Sequence, residues 1–330
     1  MSELEKRTLG KSQLEVTRLG IGLWAAGGGQ WGATDDRESL NAIDAALEAG
    51  INFFDTADVY SDGRSEELLG RAMKGRRDRF IVATKIGWVN YDGERGRTAY
   101  DTVEKLMAGV ETNLTRLQTD HVEVIQSHID HRDPTMEVFV EGFQRLQDQG
   151  KVLAYGVSTS DLDYLKAFNG DGRCATLQTD YSILNRTAEA EILTYCQQND
   201  IGVIVRGPLA MGILTGKFGP DVQFHDDDWR RRWIETPEER DIFMSDLAKV
   251  ERLRPLAKGR TLAQERTLAQ LALQFVMSHP AVTLAIPGAK TEKQLRDNVK
   301  AALLPPLTAE EMATIDAITP RGGGRKIWPA

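Results

Sequence analysis

The chain has little cysteine and no excess of basic residues. Only two cysteines, Cys174 and Cys196, occur in 330 residues, which is too few for a disulfide framework and lacks the paired spacing of a zinc finger. Lysine and arginine number 41 against 49 acidic residues, giving a formal net charge of −8. This balance argues against nucleic acid or an anionic membrane surface as the main partner.

Long apolar runs are also missing. No stretch approaches the roughly 18 consecutive apolar residues of a membrane span. Residues 1–7 are mainly polar and lack the apolar core of a signal peptide. Proline is sparse at 11, whereas glycine is plentiful at 30. We therefore expect a globular, cytoplasmic protein in which tight turns join many regular elements.

The chain does contain a regular alternation of apolar runs and amphipathic stretches. The clearest amphipathic stretch is 101–117, where apolar residues recur at helical spacing. Gly150 follows a second such stretch and indicates the end of a helix. The apolar runs are candidate strands at 20–24, 52–56, 80–86, 122–127, 152–158, 175–181, 202–205 and 282–287.

Strands that are apolar on both faces and alternate with helices indicate a parallel sheet covered by helices. Eight of them predict an α/β fold, a closed (β/α)8 TIM barrel formed as one domain over residues 1–330, and an open doubly wound sheet is the alternative. A long loop follows the seventh strand, and an extra helix is expected near the C-terminus. The loop insertion, 218–236, carries three acids and three arginines at 226–232; we interpret that block as solvated surface and expect the fold to survive removal of most of the insertion.

The segment 20–25 matches the G-x-G-x-x-A dinucleotide fingerprint. That fingerprint requires a helix to begin directly after it. Gly27, Gly28 and Gly29 and a further loop intervene here, so we do not assign a Rossmann site.

Ionisable residues stand at or near the ends of three successive candidate strands. They are Asp55, Lys85 and His128, and Tyr60 follows in the loop after Asp55. Each has an ordinary structural interpretation alone, such as a turn cap or a hydrogen-bonded strand end. Together they predict an active site, because barrel enzymes carry their chemistry at the carboxyl ends of the strands.

The run 128–133 invites a metal interpretation, since it contains two histidines and two aspartates. Only His128 lies at a predicted strand end, and His131 and Asp133 fall in the following loop. We therefore predict no metal site, and a metal-dependent barrel hydrolase is kept as an alternative function.

Several motifs together resemble those of the aldo-keto reductase superfamily. The resemblance extends over roughly residues 7–318 and implies the barrel fold. It also implies an NADPH-dependent oxidoreductase that reduces an aldehyde or ketone to an alcohol, reversibly, by hydride transfer. The motifs are 20–22 with Trp24, 52–60, 65–70, Thr84-Lys85, 126–128, 156–158, Gln178, 207–217, and 286–290 with Asn298.

The resemblance implies a role for each of the four clustered residues. Tyr60 would be the general acid/base, although a free phenol has a pKa of about 10. Lys85 would lower that pKa, and Asp55 would hold Lys85 in place. His128 would be a neutral donor that orients the substrate carbonyl and stabilises developing charge.

The resemblance also implies the cofactor contacts. Ser158 and Gln178 would hold the nicotinamide carboxamide, with Thr159 where asparagine is common. Arg206 occupies a position often taken by an aromatic residue that stacks on the nicotinamide, and a guanidinium can stack as well. The loop that would wrap the pyrophosphate through backbone N–H groups contains Gly207, Pro208, Leu209, Gly212, Leu214, Gly216 and Lys217.

At the adenosine end, the matching positions are Gly288, Lys290, Gln294 and Asn298. Lys290 would pair with the 2′-phosphate of NADPH. Many relatives carry lysine and arginine where this chain has Gly288 and Gln294, which leaves NADH as the alternative cofactor.

The sequence leaves the substrate, the physiological direction and the oligomeric state open. Five tryptophans in or near predicted loops indicate an aromatic-walled pocket for a carbonyl or alcohol substrate, or else some of them close the barrel mouth or lie in the core. These are Trp24, Trp31, Trp88, Trp229 and Trp233. A cofactor-holding regulatory subunit, similar to the channel β-subunits built on this fold, is the second alternative function.

Overall fold

The computed structural model describes residues 3–26, 28, 35–87, 100–129, 135–258 and 265–327. A short antiparallel hairpin, β1 (Lys6–Thr8) and β2 (Glu15–Thr17), precedes eight strands that pair in chain order, each parallel to the next. These are β3 (Ile21–Gly22), β4 (Phe53–Asp55), β5 (Ile81–Ile86), β6 (Val122–Ser127), β7 (Val152–Ser158), β8 (Thr176–Asp180), β9 (Gly202–Arg206) and β10 (Val282–Ala285).

The first and last of these strands meet and close the sheet. Parallel bridges join Leu19 to Ala285 and Gly22 to Gly288, and the Gly20 N–H donates to the Ala285 carbonyl at 2.9 Å. The predicted (β/α)8 barrel is confirmed, and every candidate run overlaps a strand. Gly22 belongs to this seam rather than to a dinucleotide turn, because a Cβ there would lie 2.8 Å from the Ile286 carbonyl oxygen.

Helices cover the outside of the barrel. Those that follow successive strands are α1 (Asp36–Glu48), α2 (Arg64–Met73), α3 (Val103–Leu117), α4 (Thr135–Asp148), α5 (Leu162–Phe168), α6 (Ile192–Gln198), α8 (Leu268–Ser278) and α9 (Glu292–Leu303). The predicted amphipathic stretch forms α3, and its N-cap Thr102 accepts a hydrogen bond from the Lys105 N–H. Gly150 has φ +72° just beyond α4, as expected for a residue that ends a helix.

Two helices are additional to the barrel. The predicted C-terminal helix is α10 (Ala309–Ile318), and α7 (Pro237–Lys258) lies between β9 and α8. The insertion expected as a loop contains a 3-10 helix, Trp229–Ile234, whose residues Arg230 and Trp233 are buried. The long connection after the seventh strand is therefore partly helical and packs against the core.

The hairpin closes the amino end of the barrel. Leu9 and Val16 have no exposed surface and cluster with the inward-facing Phe53, Val124 and Leu284. With this end filled by apolar side chains, only the carboxyl ends of the strands are left for a polar site. No helix in the described part of the chain has both the length and the apolar character needed to cross a membrane.

Candidate active site

Three of the four predicted catalytic residues form one hydrogen-bonded cluster. The Lys85 side chain has no exposed surface. Its Nζ donates to Asp55 Oδ1 at 2.7 Å, to the Thr56 carbonyl at 2.9 Å and to the Tyr60 hydroxyl at 3.2 Å. Strands β4 and β5 are neighbours, so the sheet itself brings Asp55 next to Lys85. The turn that follows β4 places the Tyr60 hydroxyl against Lys85.

His128 completes the group from the next strand. It follows β6 directly, and its backbone N–H donates to the Ile86 carbonyl at 2.9 Å. Its ring meets the Tyr60 ring edge-on, with 5.6 Å between the centroids. The structure thus gathers all four predicted side chains at the carboxyl ends of three adjacent strands.

The charges of this group follow from burial and pairing. Burial by itself lowers the pKa of Lys85, but Asp55 and Tyr60 outweigh it, so that pKa is raised and the ammonium stays charged. Burial raises the pKa of the Tyr60 phenol, and Lys85 only opposes this effect. Lys85 acts on the Tyr60 pKa in the expected direction, but the net pKa is raised, because desolvation of the phenolate outweighs the attraction of the ammonium. Tyr60 consequently keeps its proton at neutral pH.

A second layer of polar groups surrounds the cluster. Gln178 Nε2 donates to Asp55 Oδ2 at 2.8 Å and to Gln126 Oε1 at 3.1 Å. Ser158 pairs with Gln178 in the register of β7 and β8, and within the described residues its buried hydroxyl has no hydrogen-bond partner. An unsatisfied buried hydroxyl costs about 1–3 kcal/mol unless a ligand pairs with it. The site therefore fits a ligand with an amide, such as nicotinamide.

The hydroxyl of Thr159 is engaged differently from that of Ser158. Thr159 Oγ1 accepts a hydrogen bond from the Asp161 N–H at 3.0 Å. This hydroxyl organises the turn before α5. The departure from asparagine at this position therefore replaces a side-chain amide with a turn-forming group.

Arg206 lies at the barrel mouth with a partner that the sequence did not single out. Arg206 Nη2 is 3.3 Å from Asp180 Oδ2, and both side chains are largely buried. The guanidinium lies near enough to favour the ionised forms of Asp55 and Tyr60. Asp180 was predictable from its spacing, because it stands two residues after Gln178 on the same face of β8.

The loop after β9 has an unusual backbone. Gly207, Gly212 and Gly216 have φ of +62°, +99° and +70°, and Ala210 and Met211 have φ of +48° and +53°. Left-handed geometry is strained for residues other than glycine, and such strain clusters at ligand-binding segments. Among the other predicted contacts in this loop, Pro208 and Leu214 are buried, Leu209 is half-buried, and Lys217 is exposed.

The predicted adenosine-end residues are also neighbours. The Lys290 N–H donates to Gln294 Oε1 at 2.8 Å, and Asn298 Nδ2 donates to the Gly288 carbonyl at 3.5 Å. These contacts join the turn after β10 to the first half of α9. Gln294 therefore shapes this turn where many relatives carry an arginine.

The sequence patterns did not indicate that Arg230 belongs to this region. Arg230, within the block interpreted as solvated surface, is 8% exposed. Its Nε donates to Asp228 Oδ1 at 2.8 Å and its Nη1 donates to the Met211 carbonyl at 3.3 Å. Partial desolvation of the two ammonium groups and the charge of Arg230 lower the pKa values of Lys217 and Lys290. Three cations thus gather beside the strained loop, a suitable place for phosphates.

No local sequence signal distinguished Arg230 from its exposed neighbours Arg231 and Arg232. The three are adjacent arginines, and only the path of the insertion across the loop after β9 selects one of them for burial. The interpretation of the whole block as solvated surface is wrong for Arg230 and for Asp228, which is 7% exposed.

Aromatic residues form one wall of the site. Trp24 stacks on Tyr60 at 5.9 Å between centroids and on Trp229 at 6.4 Å. Trp233 is 2% exposed and packs against Phe243 at 5.5 Å. Two tryptophans therefore lie at the site and one in the core, while Trp31 and Trp88 lie outside the described residues.

Among the described residues, no group of three or more histidine, cysteine, aspartate or glutamate side chains is arranged to hold a metal ion. Asp130, His131 and Asp133, which carried the metal interpretation, lie outside those residues.

Comparison with known proteins places this site in a family. The model of the "Aldo/keto reductase family" matches residues 18–320. The chain belongs to the aldo/keto reductase family. Its predicted class, an oxidoreductase with a (β/α)8 barrel, is thereby confirmed.

Three curated relatives show the range of named functions within the family. Aldo-keto reductase YhdN of Bacillus subtilis is 34% identical over 88% of this chain and 87% of its own. The NADH-specific methylglyoxal reductase of Escherichia coli is 30% identical over 90% and 93%. A rice (Oryza sativa) protein named probable voltage-gated potassium channel subunit beta is 31% identical over 96% of both chains.

Solved structures agree with the fold. The glycerol dehydrogenase of Gluconobacter oxydans superposes with a TM-score of 0.82 at 30% identity, covering 100% of this chain and 99% of its own. An aldo/keto reductase of Klebsiella pneumoniae in complex with NADP and acetate has a TM-score of 0.74 at 26% identity, covering 98% and 99%.

Proposed function

We propose that this aldo/keto reductase reduces an aldehyde or ketone to an alcohol, reversibly, with a nicotinamide cofactor and with Tyr60 as the general acid/base. The observation that carries the proposal is the contact between the Tyr60 hydroxyl and the fully buried Lys85 ammonium at 3.2 Å. A phenol held against a buried cation suits a proton donor, because the cation stabilises the phenolate that remains.

The protein groups divide the work of carbonyl reduction. His128 donates a hydrogen bond to the carbonyl oxygen and orients it. Tyr60 gives its proton to the same oxygen as negative charge develops there. Lys85 stabilises the resulting phenolate, and Asp55 keeps Lys85 charged and in place through the 2.7 Å ion pair. In the oxidation direction the phenolate takes the alcohol proton.

Several residues suit the cofactor. The buried hydroxyl of Ser158, which has no hydrogen-bond partner in the described part of the chain, would pair with the carboxamide, and Arg206 with Asp180 would flank the ring. Lys217, Arg230 and Lys290 would hold the phosphates. Bound nicotinamide supplies or accepts the hydride. NADPH is the cofactor that Lys290 favours, and NADH remains the alternative, as the NADH-specific relative illustrates.

The aromatic wall supports a ring-bearing carbonyl or alcohol substrate. Trp24 and Trp229 present nearly parallel faces, with 15° between their planes, beside the Tyr60 ring. Flat apolar substrates gain contact area and stacking energy against such surfaces.

The test is Tyr60→Phe, assayed at the reduced-nicotinamide absorbance band with a panel of carbonyl substrates and both cofactors. General acid catalysis is typically worth about 10²–10⁴-fold, so we expect kcat to fall by at least about 10²-fold. Cofactor binding, followed by quenching of tryptophan fluorescence, should persist because the ring is retained. Lys85→Met should cause a similar loss, and the double variant should be little worse than either single variant.

A Tyr60→Phe enzyme that keeps more than about a tenth of wild-type kcat, against the expected loss, would contradict the assignment. Cofactor binding without turnover of any carbonyl or alcohol by the wild-type protein would instead favour the regulatory-subunit alternative. The likeness to the rice channel subunit over 96% of both chains makes this control necessary.

A further inference from the structure

Two buried carboxyl groups that the proposed proton transfer does not use lie near the catalytic cluster, and one of them faces His128. Asp58, in the turn after β4, has a side chain that is 3% exposed, and Glu66 in α2 has no exposed surface. Asp58 Oδ1 lies 3.8 Å from His128 Nδ1. Two backbone donors orient the carboxyl group: the Val59 N–H donates to Oδ1 at 2.7 Å and the Gly87 N–H donates to Oδ2 at 3.4 Å.

The two acids share one nearby cation. Arg116 of α3 lies 3.5 Å from Glu66 Oε2 through its Nη1, and the same nitrogen donates to the Asp58 carbonyl at 3.2 Å. Thr84 donates to the other Glu66 oxygen at 2.6 Å. If both acids were ionised, this buried cluster would carry more negative than positive charge, which is costly away from water. One proton is therefore retained among the two acids.

The retained proton favours Asp58. Burial and the neighbouring Glu66 raise the pKa of Asp58 to about 8, and burial raises the pKa of Glu66 to about 7. Glu66 forms an ion pair with Arg116. The charges that act on the Asp58 carboxyl group are the like charge of Glu66 and the more distant guanidinium of Arg116. Asp58 is therefore the acid that holds its proton further into the alkaline range.

The identity of the group facing Nδ1 decides what His128 can do. A neutral imidazole carries one N–H, so it donates from Nε2 only when Nδ1 is the acceptor. An ionised carboxylate beside Nδ1 would draw the single proton to that nitrogen and leave Nε2 bare. A carboxyl group that brings its own proton to Nδ1 has the opposite effect.

We propose that Asp58 is a positioning residue that holds a proton against Nδ1 of His128 and thereby keeps Nε2–H as the donor to the substrate carbonyl. The inference rests on the proposed role of His128. It does not depend on which partner holds the shared proton, because Nε2 carries a hydrogen in either case. The 3.8 Å separation is expected to shorten when substrate binds, as catalytic hydrogen bonds commonly do.

The surrounding groups determine the direction of the pH effect. Within the described residues, Asp58 and the edge of the Tyr60 ring face His128. Glu66 of α2 and Arg116 of α3 act on the pKa of Asp58 through their charges. Lys85 of β5 contributes its backbone carbonyl, which accepts the Asp58 N–H at 3.1 Å. Loss of the shared proton above about pH 8 leaves Nε2 without hydrogen, so kcat should fall on the alkaline side.

The decisive variant is Asp58→Asn, oriented by the same backbone donors. Because the Val59 N–H donates to the oxygen that faces Nδ1, the amide oxygen takes that position and offers Nδ1 an acceptor at every pH. We therefore expect kcat at neutral pH to fall to the level that the wild-type enzyme reaches on the alkaline side, with no further alkaline fall from this group. Asp58→Ala removes the partner and should lower kcat about 10-fold with little change in KM. Glu66→Gln removes the like charge, so the alkaline fall should move to lower pH by about one unit.

A matched control is Glu123→Gln at the opposite end of β6. Glu123 is also a buried carboxylate and accepts a hydrogen bond from the Val82 N–H at 2.7 Å. It is far from His128 along the strand, so this variant should change the thermal midpoint without changing the pH profile of kcat. A merely structural role of Asp58 would produce the same pattern as this control.

A second readout needs no turnover. In protein labelled with ¹⁵N-histidine, the His128 signal, identified by its loss in His128→Gln, should show a protonated Nε2 at pH 7 in the wild type and a bare Nε2 in Asp58→Asn. A bare Nε2 at pH 7 in the wild type, or an Asp58→Asn enzyme with an unchanged alkaline fall, would overturn the inference. If Asp58→Asn does not fold, Glu66→Gln and the wild-type spectrum decide in the same way. Failure of Tyr60→Phe to lose activity would contradict the proposed function and leave this spectrum unaffected.

Discussion

Lys85 illustrates how single residues acquire their chemistry from burial. Its three contacts, to Asp55, Thr56 and Tyr60, match the three N–H donors of an ammonium. No donor is left unsatisfied, which allows a charged group to lie in the interior. The same burial keeps Tyr60 protonated, so at neutral pH the residue is poised as a proton donor.

Substitution of Lys290 tests which cofactor the site prefers. An ion pair with a phosphate dianion is worth roughly 1.5–3 kcal/mol when partly desolvated. Lys290→Met should therefore weaken NADPH binding about 10- to 100-fold, leave NADH binding nearly unchanged, and affect KM more than kcat. Fluorescence titration with each cofactor measures the difference.

Lys293 provides the control for this experiment. It lies three residues later, and its side chain is 88% exposed, so Lys293→Met should leave both affinities as they are. Equal weakening of NADPH and NADH by Lys290→Met would show that Lys290 does not recognise the 2′-phosphate.

The insertion after β9 behaves as two parts with different roles. Trp229 faces the site through its stacking on Trp24. Trp233 lies in an aromatic cluster with Phe218, Phe224 and Phe243. The packing of Trp233 on Phe243 of α7 leads us to expect that removal of most of the insertion would destabilise the protein, because Phe243 would lose its buried partner.

The two tryptophans give contrasting predictions. Trp229→Ala should raise KM for ring-bearing carbonyl substrates relative to small ones, with little change in thermal stability, because stacking area is lost at the site. Trp233→Ala should reduce the free energy of unfolding by about 3–5 kcal/mol, measured by urea denaturation, with substrate preference retained. Equal effects of the two substitutions on stability and on KM would contradict this division of the element.

The barrel as a whole depends on the seam between β3 and β10. Gly22 allows this approach, since a Cβ would lie 2.8 Å from a backbone oxygen that cannot move aside alone. Gly22→Ala should therefore lower the free energy of unfolding by about 1–3 kcal/mol or more, and differential scanning calorimetry would record a lower Tm.

Gly219→Ala is the matched control for the seam. A Cβ at this position meets no atom within 4 Å, so the substitution should leave Tm nearly unchanged. A Gly22→Ala protein as stable as Gly219→Ala would show that the seam tolerates a side chain.

The eight strands, the order of the helices and the catalytic cluster were readable from local patterns. Each strand is a short run of apolar residues, and Asp55, Lys85 and His128 stand at strand ends that a parallel barrel must bring to one face. Tyr60 was readable because it follows Asp55 in the same turn. The roles of these residues and of the cofactor contacts stay predictions until the variants are measured.

Contacts between segments distant in the chain were decided only by the tertiary structure. Three such contacts depend on how loops cross the barrel mouth: the burial of Arg230 beside the exposed Arg231 and Arg232, the separation of Trp229 from Trp233, and the placing of Asp58 against His128. The net pKa direction of Tyr60 likewise depends on burial, which is a sum over all surrounding atoms. Local sequence fixes which residues can form an element and which groups can ionise, but desolvation and charge pairing arise only when the chain has closed around them.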